Sequence, residues 1–236
     1  MPVSLTAALA DIRQLADPVK AKFLSRFFKT GPGEYAEGDR FLGITVPQLR
    51  RLAKKYAILP LADIERLIQS PDHETRLLGL LLVVGRYPRA SEADRESLFR
   101  CYVRNARHIN NWDLVDVTAP HVLGAHLEHR DRGLLEEWAG SPNLWKRRLS
   151  LLATLRFIRK GDFSLTLRLV DRLLQDPEDL MHKAAGWMLR EVGKKDRARL
   201  EAFLRPRYQR MPRTMLRYAI ERFPAQRRQA YLKSRI

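Results

Sequence analysis

The chain has 236 residues, of which 45% are hydrophobic and 30% charged, a balance typical of globular proteins and not of disordered ones. Lys and Arg number 44 against 27 Asp and Glu, a formal net charge of +17, which predicts an anionic partner because a positive surface attracts polyanions. Cys101 is the only cysteine, which excludes an intrachain disulfide and fits a reducing cytosol. The longest apolar run, 77–84, is too short to cross a bilayer.

Apolar residues recur at helical spacing along almost the whole chain, and no segment alternates like a half-buried strand. The predicted helices, in chain order, cover 5–16, 18–28, 47–57, 61–69, 72–86, 91–105, 112–129 (broken near Pro120), 132–139, 143–159, 163–175, 178–192, 196–204, 212–223 and 225–233. Prolines suit the first turn of a helix, and seven of them stand at predicted helix starts. The segment Thr30–Arg40, rich in Gly and Pro, is predicted to be a surface loop.

A proline-based repeat runs through this helical pattern. Pro142, Pro177 and Pro212 lie 35 residues apart, and Pro71 precedes Pro142 by 71, close to two such periods. Each unit is interpreted as a pair of helices whose second helix begins at the proline. Such pairs bury their apolar faces by stacking, so we expect an all-α curved solenoid (an α-α superhelix) that forms one domain over residues 1–236.

Basic residues recur at one position of this repeat, after Ser-Pro or an equivalent pair. Equivalent positions line one surface of a solenoid, so these residues are predicted to form a ladder that tracks phosphates. They are Arg76, Arg147 or Arg148, Lys183 and Arg217. The alternative for each residue is that it solvates a helix or bonds to a neighbouring repeat. The C-terminal stretch Lys194–Ile236 holds 14 Lys or Arg against three acidic residues, and Tyr208 and Tyr218 within it are candidates to pack on sugars.

One rung of the ladder lacks a basic residue and instead carries Trp112. Asn111 before it is a plausible N-cap, and Asp113 in the first turn complements the helix dipole and needs no further role. Asp116 lies four residues after Trp112, so both side chains share one helix face. A carboxylate on a phosphate-facing surface indicates a chemical purpose. A structural ion pair with an Arg of the next repeat, such as Arg148, is an equally good explanation.

The other tryptophans are less informative by position. Trp187 follows Lys183 by one turn and lies close to the repeat position of Asp116, although core packing is the usual role of such a residue. Trp138 and Trp145 are interpreted as packing residues, as is Cys101.

Other chemistries find little support. His121, His126 and His129 do not have the spacing of ligands on one helix face, and no acidic cluster accompanies them, so no metal site is expected. The chain has no phosphate-cradling glycine loop and no serine-nucleophile elbow, and no cofactor is expected.

Taken together, these residues resemble the bacterial DNA alkylation repair family of the AlkD type, which are DNA glycosylases built from HEAT-like repeats. The resemblance covers nearly the whole chain and follows the family's order and spacing. Its stretches are Phe41-Leu42-Gly43-Ile44-x2-Pro47-x2-Arg50, Asn111-Trp112-Asp113-Leu114-Val115-Asp116, Asn143-Leu144-Trp145-x2-Arg148 and Lys183-Ala184-x-Gly186-Trp187-x-Leu189-Arg190-Glu191.

The resemblance implies hydrolysis of the N-glycosidic bond of N3- or N7-alkylated purines in duplex DNA, without flipping of the base. It assigns the catalytic carboxylate to Asp116, contacts with the damaged nucleotide to Trp112 and Trp187, and a phosphate-holding or orienting role to Arg148. Phe27 stands where the family can carry Tyr. Arg190, within the last matching stretch, joins the ladder residues as a predicted DNA contact, and we expect a monomer in the bacterial cytosol or nucleoid.

Two other functions stay open at the level of sequence. The first is a non-catalytic relative that binds branched or distorted DNA, and the second is a helical scaffold for acidic proteins. The pairing of Asp116 with Trp112 favours the enzyme over the pure binder, and steep salt dependence of DNA binding would separate both from the scaffold.

Overall fold

The computed structural model describes residues 3–236, and this part of the chain forms α-helices, short 3₁₀ turns and loops without a β-strand. An isolated parallel bridge joins Arg40 and Asp72. Two compact units divide the chain after Thr118. The predicted all-α fold built from helical repeats is confirmed, whereas a single domain over residues 1–236 stays a prediction.

The first unit carries seven α-helices within its described residues. They are α1 (Leu5–Leu15), α2 (Pro18–Phe27), α3 (Val46–Lys55), α4 (Leu61–Ile68), α5 (His73–Arg86), α6 (Glu92–Arg104) and α7 (Trp112–Asp116). Short 3₁₀ turns cover Tyr87–Arg89 and Ala106–His108. The helix α5 packs against α3, α4 and α6, and its residues from His73 to Val83 are all buried. It is therefore the centre of the unit.

The second unit carries nine α-helices. They are α8 (Leu123–His126), α9 (Gly133–Ala139), α10 (Leu144–Ala153), α11 (Leu155–Arg159), α12 (Ser164–Arg172), α13 (Asp179–Lys195), α14 (Arg197–Leu204), α15 (Arg213–Ala219) and α16 (Ala225–Leu232). Helices α9 and α10 pack together, as do α12 with α13 and α14 with α13. The later helices of successive pairs also pack side by side, α10 on α13 and α13 on α15. This is the stacking that the sequence repeat predicts.

Most helix boundaries lie within two residues of the prediction. Among the exceptions, α12 ends at Arg172 and α15 at Ala219, three and four residues before their predicted ends. The break predicted near Pro120 within 112–129 is confirmed, because the chain forms α7 and α8 with turns around the buried Pro120 between them. The helix predicted over 143–159 is divided at Thr154, whose hydroxyl donates to the carbonyl of Leu151 at 2.6 Å. The helix α13 continues to Lys195, three residues beyond its predicted end.

The repeat prolines do not all begin a helix, which corrects the sequence interpretation. After Pro71, Pro142 and Pro177 the helix starts two residues later, at His73, Leu144 and Asp179. A polar residue occupies the N-cap in between, as Asn143 does for α10, where its side chain accepts from two backbone N–H groups at 2.9 and 3.1 Å. These prolines therefore belong to the turn that precedes the helix.

Candidate nucleic-acid interface

The residues Trp112 and Asp116 lie at the two ends of the short helix α7, one turn apart. Asn111 caps the helix, as predicted, and its side-chain oxygen accepts from the N–H of Trp112 at 2.8 Å. Both Trp112 and Asp116 are half-buried. The four-residue spacing has thus produced an indole and a carboxylate on one partly accessible turn.

The indole of Trp112 is held by aromatic neighbours from the end of α2 and the loop after it. Its ring stacks on Phe28 at 5.1 Å between centroids and meets Phe27 edge-on at 6.1 Å. Its N–H donates to the hydroxyl of Tyr35 at 3.3 Å. The ring of Phe28 in turn stacks on Phe41 at 4.8 Å. Trp112 therefore has a fixed ring plane before any ligand binds.

A buried ion cluster underlies this aromatic stack. The imidazole of His73 lies 3.0 Å from a carboxylate oxygen of Asp39 through Nδ1 and 2.8 Å from one of Asp113 through Nε2. Its ring also stacks on Phe41 at 4.4 Å between centroids. Asp39 further accepts from Arg76 and from the side-chain amide of Asn111. Because Asp113 belongs to α7, the cluster anchors the helix that carries Asp116.

The charge state of this cluster follows from its geometry. Burial disfavours the imidazolium of His73, but the hydrogen bonds and charges of Asp113 and Asp39 outweigh it and raise the pKa of His73 to about 9. At neutral pH the imidazole is therefore cationic and donates from both nitrogens. Burial likewise opposes ionisation of Asp39, but His73 and Arg76 together hold the pKa of that carboxyl below its ordinary value.

Asp113 thus has a role that the sequence interpretation missed. Beyond the helix dipole, its carboxylate joins α7 to His73 of α5, and its other oxygen accepts from the N–H of Leu114 at 2.9 Å. The sequence around His73, the partner of Asp113, did carry a signal of this network. His73, Glu74 and Arg76 are polar residues in the first turn of a helix whose following residues, 77–84, are all apolar, a pattern that indicates a satisfied buried network.

Glu74, also missed, fixes the loop that carries Phe41. Its buried carboxylate accepts from the backbone N–H groups of Leu42 and Gly43 at 2.8 Å and of Ile44 at 3.2 Å. Gly43 has a φ of +83°, a conformation open to glycine. Three charge-assisted bonds to one carboxylate make this a rigid segment. It matches the first stretch on which the family resemblance rests.

The ladder prediction is corrected at two rungs, Arg76 and Arg147. The guanidinium of Arg76 is buried, donates to the carbonyls of Ser70 and Pro71, and pairs with Asp39. Arg147 repeats this arrangement in the second unit with the carbonyls of Ser141 and Pro142 and with both oxygens of Asp176.

The physical reason is the same for both residues. Each turn before the helix leaves two carbonyls without partners, and the guanidinium satisfies them while pairing with an aspartate. The alternative interpretation, a bond within the repeat stack, is therefore the one observed for Arg76 and Arg147.

The other predicted residues of the second unit differ in exposure. Arg148 is buried and donates to the carbonyl of Leu180 in the first turn of α13 at 2.6 Å. Lys183 is half-buried and pairs with Asp179 at 2.8 Å. Trp187 is half-buried, and its indole N–H donates to Glu191 at 3.0 Å. Trp187 is therefore not buried in the core, which is the usual position of a tryptophan.

The C-terminal helices keep part of their predicted basic surface. Arg217 and Tyr218 are exposed on α15. Arg190 is half-buried and pairs with Glu221 and, at 3.8 Å, with Glu191. Tyr208 is buried and donates to the carbonyl of Ile236 at 3.1 Å, so it does not offer a ring to a sugar. Burial confirms Cys101, Trp138 and Trp145 as packing residues.

A hollow of mixed charge lies beside the ion cluster in the first unit. Its volume is about 330 Å³, and its lining includes Arg76, Arg107 and His108 together with the carboxylates of Glu37 and Asp39. Burial and the charges of Arg107 and Arg76 lower the pKa of His108, so this imidazole is neutral at neutral pH.

Residues 3–236 contain no group of three or more side chains arranged to hold a metal ion, and no helix among them is long and apolar enough to span a membrane.

Comparisons with known proteins agree with this picture. A solved structure of a predicted DNA alkylation repair enzyme from Enterococcus faecalis shares the fold with a TM-score of 0.70 at 20% sequence identity, over 89% of this chain and 97% of that one. A search of curated proteins finds no significant match. The family described as DNA alkylation repair enzyme matches residues 8–223. The chain therefore belongs to the DNA alkylation repair enzyme family.

Proposed function

We propose that this protein is a DNA glycosylase that hydrolyses the N-glycosidic bond of N3- or N7-alkylated purines in duplex DNA. Membership of the DNA alkylation repair enzyme family supports a repair role. The observation that carries the specific activity is the half-buried carboxylate of Asp116, one turn from Trp112 on a helix anchored at its start by Asp113 and His73. A fixed anion beside a fixed ring suits a reaction that develops positive charge.

The chemistry needs little more than this. An alkylated purine is cationic, so when the bond between its ring nitrogen and C1′ of the sugar breaks, the electron pair neutralises the leaving base. The sugar becomes an oxocarbenium-like cation, which the carboxylate of Asp116 stabilises. A water molecule then adds to C1′ and releases a proton to solvent, which leaves a hydroxyl on the sugar. The ring of Trp112 adds cation–π attraction to the cationic sugar, worth roughly 0.5–2 kcal/mol.

Other residues are proposed to hold the DNA. Phe27, exposed beside Trp112, contacts the damaged nucleotide, and Trp187 presents its half-buried ring to the DNA from the second unit. Arg148 is proposed as a positioning residue, because its guanidinium ties α10 to the first turn of α13 through Leu180. Further basic residues on the surface of the second unit are proposed to neutralise phosphates. They are Lys183, Arg190 and Arg217.

The substitution Asp116→Asn tests the catalytic assignment. Asn has nearly the same shape but no charge, so the rate of base release should fall by at least about 100-fold. Affinity for DNA should hold or rise, since an anion near phosphates is removed. The measurement is single-turnover release of 7-methylguanine and 3-methyladenine from duplex DNA, with melting temperature and affinity determined on the same preparations.

Asp63→Asn is the matched control, because that carboxylate forms an exposed pair with Arg66 on α4 and such pairs contribute little. It should leave release unchanged. Full activity in a stable Asp116→Asn protein would exclude this carboxylate as the catalytic group. If the wild-type protein binds alkylated duplexes but releases no base, the function is instead recognition of distorted DNA.

A further inference from the structure

The helix α2 exposes an apolar stripe of which the proposed function uses only Phe27. Val19, Phe23 and Phe27 follow one another at four-residue intervals and are 81%, 66% and 54% exposed. No residue of α2 is buried. Single exposed apolar residues are ordinary, but three at helical spacing form a continuous ridge. We call Val19, Phe23 and Phe27 the α2 stripe.

Basic side chains run alongside the α2 stripe. Lys22 and Arg26 precede Phe23 and Phe27 by one residue each, and both are exposed, as is Lys20. The helix contains no acidic residue, and the capping Asp17 pairs with Lys20 at 3.0 Å. Aromatic rings bordered by cations are the combination that binds nucleic acid, because the rings stack on bases while the cations meet phosphates.

The α2 stripe is also continuous with the candidate site. The rings of Phe23 and Phe27 are nearly parallel, with centroids 6.2 Å apart and an interplanar angle of 16°. Phe27 then meets Trp112 edge-on at 6.1 Å. A row of rings thus leads from the solvent-exposed Phe23 through Phe27 to Trp112, which lies one turn from Asp116. Two ring contacts therefore separate Phe23 from the indole of the candidate site.

A second copy of the chain is a poor occupant for this surface. A stable interface buries about 800 Å² on each partner, whereas a wholly buried Phe supplies about 150–250 Å². Two Phe and one Val therefore fall well short. A symmetric contact would also bring Lys22 and Arg26 of one copy toward the same cations of the other, and like charges repel. A polyanion meets neither objection.

We propose that the α2 stripe is a stacking surface for a nucleobase that has lost its pairing or stacking near the lesion, with Phe23 as the contacting ring. This inference rests on the proposed action on duplex DNA and adds a second contact to it. Apolar side chains that enter a base step hold DNA in a distorted form, and exposed rings stack on bases of any sequence. Lys22 and Arg26 would hold the flanking phosphates.

The test uses DNA without an alkylated base, so that it does not depend on catalysis. The wild-type protein is titrated into two duplexes, one fully paired and one with a single bulged 2-aminopurine, whose fluorescence falls when it stacks. We expect tighter binding of the bulged duplex together with quenching. Phe23→Ala should weaken binding of the bulged duplex by about 5- to 150-fold, with a smaller effect on the paired duplex, and Phe23→Trp should restore both binding and quenching.

Ile58→Ala is the matched control, because Ile58 is 80% exposed on the same unit without belonging to the α2 stripe, and it should behave like the wild type. Unchanged affinity and quenching with Phe23→Ala, in a protein of wild-type melting temperature, would overturn the proposal. So would a Phe23-dependent change in oligomeric state, or Phe23-dependent binding to phosphatidylserine vesicles without an effect on DNA. Absence of base release from methylated DNA would bear only on the proposed glycosylase activity.

Discussion

The charge on His73 is the residue-scale feature on which the candidate site depends. An imidazolium between Asp39 and Asp113, stacked on Phe41, joins the loop before α3, the start of α5 and the start of α7. Removing one partner from a buried charged group leaves the others unpaired, which is far more costly than loss of a surface pair. The position of α7, and with it of Trp112 and Asp116, therefore depends on the hydrogen bond between His73 and Asp113.

The stability that His73 contributes should depend on pH. Its folded pKa of about 9 lies above the ordinary 6.5, so the contribution is complete below pH 6.5 and is lost as pH rises towards 9. A shift of this size corresponds to about 3 kcal/mol. The difference in free energy of unfolding between wild type and His73→Gln should therefore shrink by that order between pH 6 and pH 9.5 in urea titrations.

His129→Gln provides the comparison, because His129 is largely exposed and lies 4.0 Å from the carboxylate of Glu128. Its difference from the wild type should stay small at every pH. A constant difference for His73→Gln across the same range would mean that folding does not raise the pKa of His73.

At the scale of helices, α13 and α15 pack so closely that the position where they meet does not tolerate a side chain. A Cβ at Gly186 of α13 would lie 2.5 Å from the carbonyl oxygen of Met215 and from Cβ of Tyr218. The backbone oxygen of α15 cannot rotate away. The glycine before Trp187 is thus explained by helix packing, and the same packing fixes the turn on which Trp187 stands.

Gly186→Ala should destabilise the protein by about 1–3 kcal/mol, because it forces α13 and α15 apart. Gly85→Ala is the matched control in α5, where a Cβ would meet nothing within 4 Å. There the better helix propensity of Ala should stabilise by up to about 1 kcal/mol. Thermal melts of the two variants should move in opposite directions, and equal shifts would show that α13 and α15 can separate without loss.

At the scale of the whole chain, the basic residues behind the net charge of +17 fall into two groups, those that form internal ion pairs and those that remain on the surface. Arg76 and Arg147 hold turns together, so they cannot also neutralise phosphates. Arg217 of α15, Lys22 and Arg26 of α2 remain exposed. The phosphates contacted should therefore be far fewer than the 44 basic residues.

DNA affinity should fall linearly with salt on a double-logarithmic plot, with a slope of about −0.9 for each phosphate neutralised. Arg217→Gln should reduce the magnitude of that slope by about one unit. Arg147→Gln should instead lower the melting temperature and leave the slope unchanged. Binding that does not respond to salt, or a changed slope in Arg147→Gln, would contradict this division of the arginines.

The sequence by itself determined the helices, the loop 30–40 and the shared turn of Trp112 and Asp116. These depend on residues within about four positions of each other, as the capping of Trp112 by Asn111 does. It also determined the family, whose stretches have fixed spacing. It did not determine which arginines reach solvent, because the partner of Arg76 lies 37 residues away and that of Arg147 lies 29 away.

Only the tertiary structure decided the remaining features of the site. Asp113 looked complete as a helix-dipole residue until α5 brought His73 to 2.8 Å from it. The sequence places Phe23 only within the predicted helix 18–28, and the structure alone shows that its side chain is 66% exposed on a helix with no buried residue. Periodicity shows that a helix has an apolar side, but burial and pairing are set by neighbours distant in sequence, and those come together only in the folded chain.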